Sequence, residues 1–287
     1  MKVSVIILNY NGLAYTVNAV ASIHQYCSGA EIIVVDNGST DESNKVLRSK
    51  FPDIHLIALS ENKGFGAGNN RGAEAASGDF FFFVNNDTVL TSDIIRALTE
   101  FMEAKKKCGV AAPALRNGDG SFQLSYGKFP SIMNEILAQK KTRTIENVQK
   151  DQVEQKKMAK KIDWVTGAAM MVQRSVFEQI GGFDEHYFMY FEDVDFCKRI
   201  ALAGYSIDYL PQISLVHFKG KSYNESDAKI PLEYRRSQLR FYDKFKPFPE
   251  RFAIRIYLFV KFFFRLVFMR KKATSLDIMA LLFRKQS

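Results

Sequence analysis

Cysteine is scarce. Cys27, Cys108 and Cys197 are the only three in 287 residues, far apart and with no CxxC pair. That excludes a disulfide-built mini-protein and a cysteine zinc site, and it reads as reduced, mostly buried thiols in a reducing compartment. Long hydrophobic runs are also missing: no uninterrupted apolar stretch approaches the roughly 20 residues of a membrane-spanning helix. The first run, Met1 to Gly12, holds about six apolar residues and no small-residue cleavage site, so it reads as a first strand rather than a signal-peptide core. Tryptophan occurs once, at Trp164, against 25 phenylalanines. Hydrophobic residues at 47% and charged residues at 25% exclude a wholly disordered or collagen-like chain.

The body of the chain lacks net charge. Residues 244–287 carry eleven Lys and Arg against Glu250 and Asp277, which is the whole of the +9. Residues 1–243 are neutral, and a diffuse nucleic-acid-binding surface would make them basic as well.

What is present is an alternation. Val3–Leu8, Glu31–Val35, 54–59 and Asp79–Val84 read as buried strands. Each is followed by a helical pattern, at 14–27, about 41–50, 66–77 and 91–107. This predicts an α/β fold, a mostly parallel sheet flanked by helices. Ligands of such sheets bind beyond the carboxyl ends of the strands, where Asn9-Tyr10-Asn11, Asp36-Asn37 and Asn85-Asn86-Asp87 would gather. Residues 117–131 read as a hairpin, and 138–161, with eight basic and three acidic residues, as an exposed loop or helix. A helix is expected near 175–180 and another over 194–203, with two short strands, 207–210 and 213–217, around Pro211.

Six segments in order, Val3–Gly12, Val34–Asp41, Asn62–Gly72, Asn85–Asp87, Glu192–Asp195 and His217, resemble glycosyltransferase family 2. These are inverting enzymes of the Rossmann-like GT-A fold, and the branch resembled is the rhamnosyltransferase-like one of bacterial polysaccharide biosynthesis. The resemblance covers about residues 1–220. It implies a nucleotide-sugar site in which Tyr10 and Asn11 lie beside the base and Asp36 reads the N3–H of a uracil or thymine ring, which favours UDP or dTDP over GDP. The glycines at 64, 66, 68 and 72 would permit close backbone approach, with Asn69, Asn70 or Arg71 reaching phosphate or ribose. Asn86 and Asp87 stand at the family's metal motif, of which only Asp87 is a carboxylate here. With His217 it would hold Mn²⁺ or Mg²⁺. Asp193 is the implied general base, with Glu192 orienting acceptor or sugar hydroxyls and Asp195 as a helix cap. Gly167, beside Trp164, would line the sugar pocket, and the aromatic run 187–191 would form a stacking wall or a flap. Bland alternatives stay open: Tyr10 and Trp164 as core, Arg71 as a solvated charge, the acids as caps.

Between Arg251 and Arg270 the chain is aromatic and basic. On a helix, Arg251, Arg255, Lys261 and Arg265 share one arc of about 120°. That fits a helix in a membrane interface with its cations toward lipid headgroups, or one packed on the domain or in a dimer.

The expected organisation is a catalytic domain over 1–243, with a nucleotide-binding half (1–110) and an acceptor half (111–243), and a membrane-associating or dimerising tail over 244–287. The expected activity is metal-dependent transfer of a sugar, rhamnose favoured, from a dTDP- or UDP-sugar to a growing lipid-linked glycan. The expected place is the cytoplasmic face of the plasma membrane, with no nucleic-acid partner and the oligomeric state open. The rivals are a sugar nucleotidyltransferase, for which the cation-free loop after strand one is wrong, and a scaffold without turnover.

Overall fold

The computed structural model describes residues 1–135, 159–218, 229–268 and 272–283. Its first half runs β1 (Val3–Asn9), α1 (Leu13–Tyr26), β2 (Glu31–Asp36), α2 (Ser43–Lys50), β3 (His55–Ala58), α3 (Phe65–Ala75), β4 (Phe80–Asn85), β5 (Thr88–Val89) and α4 (Ile94–Ala104). The second half adds β6 (Cys108–Arg116), β7 (Phe122–Gln123), β8 (Tyr126–Gly127), β9 (Lys160–Ile162), β10 (Trp164–Val165), β11 (Ala169–Gln173), α5 (Arg174–Gln179), α6 (Glu192–Leu202) and β12 (Ser206–His217). Three helices close the described chain: α7 (Lys229–Phe245), α8 (Phe248–Phe268) and α9 (Lys272–Leu282).

The continuous apolar runs exist because both faces of the sheet are covered. Along β1, Val3, Val5 and Ile7 enter one core and Ile6 the opposite one. The same alternation divides Ile32 and Val34 from Ile33 and Val35, and Phe80 and Phe82 from Phe81 and Phe83. Each such side chain contributes about 1.5–3 kcal/mol on full burial. Helix α3 lies close on this sheet because Gly72 has no side chain: a Cβ there would stand 2.4 Å from Ile6 Cγ2. Gly68, whose Cβ would stand 2.3 Å from Leu8 Cδ1, serves the same helix-on-sheet packing, whereas Gly64 and Gly66 face the segment 183–192.

The main sheet runs β3-β2-β1-β4-β11-β6-β12-β5. Strands β3, β2, β1 and β4 are parallel, and β11 enters antiparallel between β4 and β6. From β1 the chain first goes outward to β2 and β3, then returns to β4 on the other side. This reversal opens a crevice at the carboxyl edge.

Three elements depart from expectation. β6 has no counterpart in the sequence reading, because Gly109, Pro113 and its alanines disguise a buried strand. β12 is one strand rather than two, with its register against β6 shifted between Leu210 and Ser214, around Pro211, which has no N–H to donate. Of the segment 138–161, residues up to 158 lie outside the described residues, whereas 160–162 pair with β12 as β9.

The C-terminal helices build a third core. Leu239, Phe241 and Tyr242 of α7, Ile254, Leu258 and Phe262 of α8, and Ile278, Leu281 and Leu282 of α9 pack with Tyr187, Phe191 and Val194, around the start of α6. Ion pairs fasten the same junction. Asp195, fully buried, accepts from Arg199 Nε and Lys244 Nζ, both at 2.6 Å, and Lys244 also reaches Asp184 at 2.7 Å. Asp195 thus ties α6 to α7, where a helix cap was expected. Asp195→Ala should lower stability by about 3 kcal/mol, since it leaves two cations without their buried partner. Urea unfolding measures this as a fall in the transition midpoint at unchanged slope.

Candidate active site

The crevice is a cleft of about 690 Å³. Tyr10, Asn86, Asp87, Gly167, Glu192, Asp193 and His217 all line it. These seven come from the loops after β1 and β4, the turn before β11, the start of α6 and the end of β12.

The strand ends are joined by a buried polar chain. Asn9 donates to Asp36 at 2.7 Å and accepts from Thr16 Oγ1 at 2.7 Å and Asn86 Nδ2 at 3.3 Å. Asp36 also accepts from Asn44 at 2.6 Å and from the Ser39 hydroxyl and amide. It is fully buried and does not line the cleft, so its carboxylate orders the ends of β1 and β2 from behind. Asn11 sits beside this chain with φ 50°, its Oδ1 accepting from Thr40 N at 2.8 Å.

Asn69, Asn70 and Arg71 are not brought to the cleft. Asn69 donates to Phe65 O within its own helix. Asn70 pins the chain at Phe183 through its amide oxygen and nitrogen, both at 2.9 Å. Arg71 pairs at the surface with Glu74 and with Glu185 at 3.6 Å. The helical spacing that puts Gly72 against β1 turns these three polar residues elsewhere.

Asp87 and His217 meet because β5 pairs antiparallel with β12, setting Thr88 opposite His217. His217 Nε2 lies 3.1 Å from Asp87 Oδ1, and both side chains are nearly buried. Gln123, from β7, was missed by sequence reasoning because it belongs to no motif and only the strand pairing brings it here. Its amide nitrogen donates to Asn117 Oδ1 at 3.1 Å, which turns Oε1 toward His217 Nδ1 at 2.6 Å. Nδ1 donates to the Gln123 carbonyl oxygen, which fixes the ring with Nε2 turned toward Asp87. A carboxylate oxygen and an imidazole nitrogen at this separation fit one small divalent cation. Among the described residues no cluster of three or more His, Cys, Asp and Glu is arranged to hold a metal.

The opposite wall carries the acids. Glu192 is buried in the first turn of α6, and its Oε2 has no hydrogen-bond partner. Burial, then the neighbouring Asp193 and Asp195, push its carboxyl well above the ordinary glutamate value. Burial also raises Asp193, against the pull of the Gly167 N–H at 3.1 Å and the Val194 N–H at 2.8 Å. Gly167 therefore acts through its backbone on the acid. Its lack of a side chain is also required, since a Cβ would stand 2.8 Å from the Phe65 ring.

The turn into α6 is strained. Tyr190 and Phe191 both hold left-handed backbone, φ 66° and 65°, at about 1–3 kcal/mol each. Three contacts hold it. Ser237 Oγ of α7 donates to Met189 O at 2.8 Å. Tyr234 of α7, itself a cleft residue, packs on both rings at 5.5 and 5.3 Å. Phe65 N donates to Phe188 O at 2.9 Å, an approach that Gly64 permits at φ 90°. The aromatic run is thus a braced strut, joined to α3 on one side and α7 on the other. The three cysteines are free and buried, and burial pushes Cys27 up to about 12.

Comparison with known proteins gives the family and the fold. Residues 4–181 match the glycosyl transferase family 2 description, and residues 150–221 that of the N-terminal domain of galactosyltransferase. The N-acetylglucosaminyl-diphospho-decaprenol L-rhamnosyltransferase of Mycobacterium tuberculosis is 28% identical over 225 residues, covering 73% of each chain. Rhamnosyltransferase WbbL of Escherichia coli K12 is 28% identical over 225 residues, 65% of this chain and 82% of WbbL. GalNAc-T7, solved with UDP, GalNAc and Mn²⁺, superposes at TM-score 0.64 and 14% identity over 85% of this chain and 48% of its own, which establishes a common GT-A fold. With a match spanning most of its α/β body, the chain belongs to glycosyl transferase family 2 and is a glycosyltransferase.

Proposed function

We propose that the enzyme is an inverting, metal-dependent transferase that moves a sugar, rhamnose first among candidates, from a dTDP- or UDP-linked donor to a growing lipid-linked cell-surface glycan. One observation carries the reading: a single cleft has the Asp87–His217 pair on one wall and a buried pair of acids, Glu192 and Asp193, on the other. The rhamnosyltransferase relatives support the sugar, and the decaprenol diphosphate in one relative's name supports the lipid-linked acceptor.

In this reading Tyr10 offers a face to the base, while Asn86, fixed by Asn9 and Thr16, lines the phosphate path. Asp36 and Asn11 act from behind, holding the loop that carries Tyr10. Asp87 and His217 would hold a Mn²⁺ or Mg²⁺ ion, which when bound supplies positive charge for the diphosphate. The acceptor hydroxyl oxygen attacks the anomeric carbon from the face opposite the leaving group. Its proton passes to Asp193, and the anomeric C–O bond electrons leave with the nucleoside diphosphate. The Gly167 and Val194 amides steady Asp193 as it changes charge, and Glu192 orients acceptor or sugar hydroxyls. The proposed site of action is the cytoplasmic face of the plasma membrane, with residues 1–243 as the catalytic domain and the segment 251–272 as the membrane contact. No helix among the described residues is long and apolar enough to cross a membrane.

Thermal unfolding with UDP, dTDP and GDP, each with and without Mn²⁺, tests the donor site without an acceptor. A ligand at 100 times its dissociation constant adds about 2.7 kcal/mol. Stabilisation by UDP or dTDP but not GDP, dependent on Mn²⁺ and lost in Asp87→Ala, is expected; no shift with any nucleotide contradicts the reading. A second prediction follows from Glu192. Its folded carboxyl ionises at higher pH than the unfolded one, so the folded state is favoured at acid pH and loses that advantage as pH rises through the raised value. Glu192→Gln should therefore raise Tm at pH 7.5 by a few degrees, about 1 kcal/mol, with the gain vanishing toward pH 4. A fall in Tm at pH 7.5 would show that Glu192 is compensated.

A further inference from the structure

Helix α8 packs on the domain, one of the two placements its sequence allowed, and its cationic arc is the inward one. Arg251, Arg255 and Lys261 share their arc with Ile254, Leu258 and Phe262, and that arc faces the protein. Arg255 is held by Asp243 at 2.7 and 2.9 Å, and Lys261 is half-buried with its pKa lowered, by burial first and then by Arg235 and Arg265. These cations do not face outward to lipid headgroups; only Arg265 of the four is exposed.

The outward face is apolar along its length. Phe248, Phe252, Ile256, Phe259, Phe263 and Val267 recur at three- and four-residue spacing and are 37–68% exposed. Leu276 of α9 is exposed as well, and Phe283, just after α9 and 79% exposed, packs edge-on against Phe259. Between 252 and 267, all described, Arg265 is the one exposed charged residue. Scattered exposed hydrophobics are ordinary, but a continuous stripe of this kind marks an interaction surface.

Resting on the reading of a lipid-linked acceptor, we infer that this phenylalanine face, rather than the cationic arc, is the surface that enters the lipid interface, with α8 and α9 lying in its plane. Three observations select a lipid surface over a second copy of this chain. The stripe is about 30 Å long at 1.5 Å per residue and belongs to helices that do not span a membrane. The segment from 244 onward carries all of the net +9, which anionic headgroups complement and a twofold contact between two such tails opposes. Between 252 and 267 the exposed face is also hydrocarbon apart from Arg265, whereas a protein interface mixes polar groups into its rim. The buried side of α8 shares its core with Tyr187, Phe191 and Val194. Docking this face would therefore place the acid-bearing helix α6 one helical layer above the lipid, where a lipid-linked acceptor presents its sugar.

The test uses the full chain and its exposed-face variant Phe252→Ser/Phe259→Ser/Phe263→Ser, with sedimentation against vesicles of phosphatidylcholine alone and with 30% phosphatidylglycerol. Wild type should pellet with the anionic vesicles and retain measurable binding to the neutral ones in 0.5 M NaCl. The variant should lose about 100-fold in partition while keeping wild-type circular dichroism and the nucleotide-dependent rise in Tm. Vesicle binding equal in variant and wild type, or abolished in wild type by salt alone, overturns the inference in favour of the cations. A lipid-free dimer of wild type that the variant loses, with no vesicle binding, overturns it in favour of a second copy. Loss of the nucleotide-dependent rise in wild type would instead count against the transferase reading, and so the two failures are distinguishable.

Discussion

The arrangement turns on a carboxyl that the fold buries with one oxygen, Glu192 Oε2, left without a hydrogen-bond partner. Glu192 begins α6 beside Asp193, yet two cations of this junction are committed one turn further on: Arg199 and Lys244 both close on Asp195. Asp195 takes the positive charge and anchors α7, and among the described residues neither cleft acid has an ion-pair partner. A protein keeps such groups only where the surroundings over-determine them. Here the surroundings are a strained turn at Tyr190–Phe191, clamped by Ser237 and Tyr234 from α7 and by Phe65 from α3. The C-terminal helices are thus part of what holds the acids in place.

The opposite wall is built by sheet register. Strand β12 closes the sheet against β6 and β5, and this pairing delivers His217 to Asp87. Gln123, on the short β7, fixes the ring. The two walls face each other because the sheet reverses its strand order between β1 and β4, so that the loops after both strands open to the same side.

Much of this was legible in the sequence, for identifiable reasons. Buried parallel strands are apolar on both faces, so Val3–Leu8 and Phe80–Val84 stand out, and the polar residues that end them fall at one edge. That places Tyr10, Asn86 and Asp87 in the cleft, and the acids of α6 and His217 complete it. What was not legible depends on facing and register. Asn69 to Arg71 belong to a glycine-rich stretch expected to approach the nucleotide, but Gly72 sets the rotation of α3 and turns them away. Asp36 ends a strand as a base-reading carboxylate would, yet Asn9, Ser39 and Asn44 enclose it. The tail pattern showed an amphipathic helix without showing which arc faces inward, because Asp243, the partner of Arg255, lies on a different helix.

The central claim is that Asp193 takes the acceptor proton. Its most direct measurement is the single-turnover rate of sugar transfer by wild type and Asp193→Asn, with nucleotide affinity measured on both. The account predicts a loss of about 10²–10⁴-fold in the transfer rate at unchanged nucleotide affinity. Equal rates would remove Asp193 from the chemistry and leave Glu192 as the remaining carboxyl able to act.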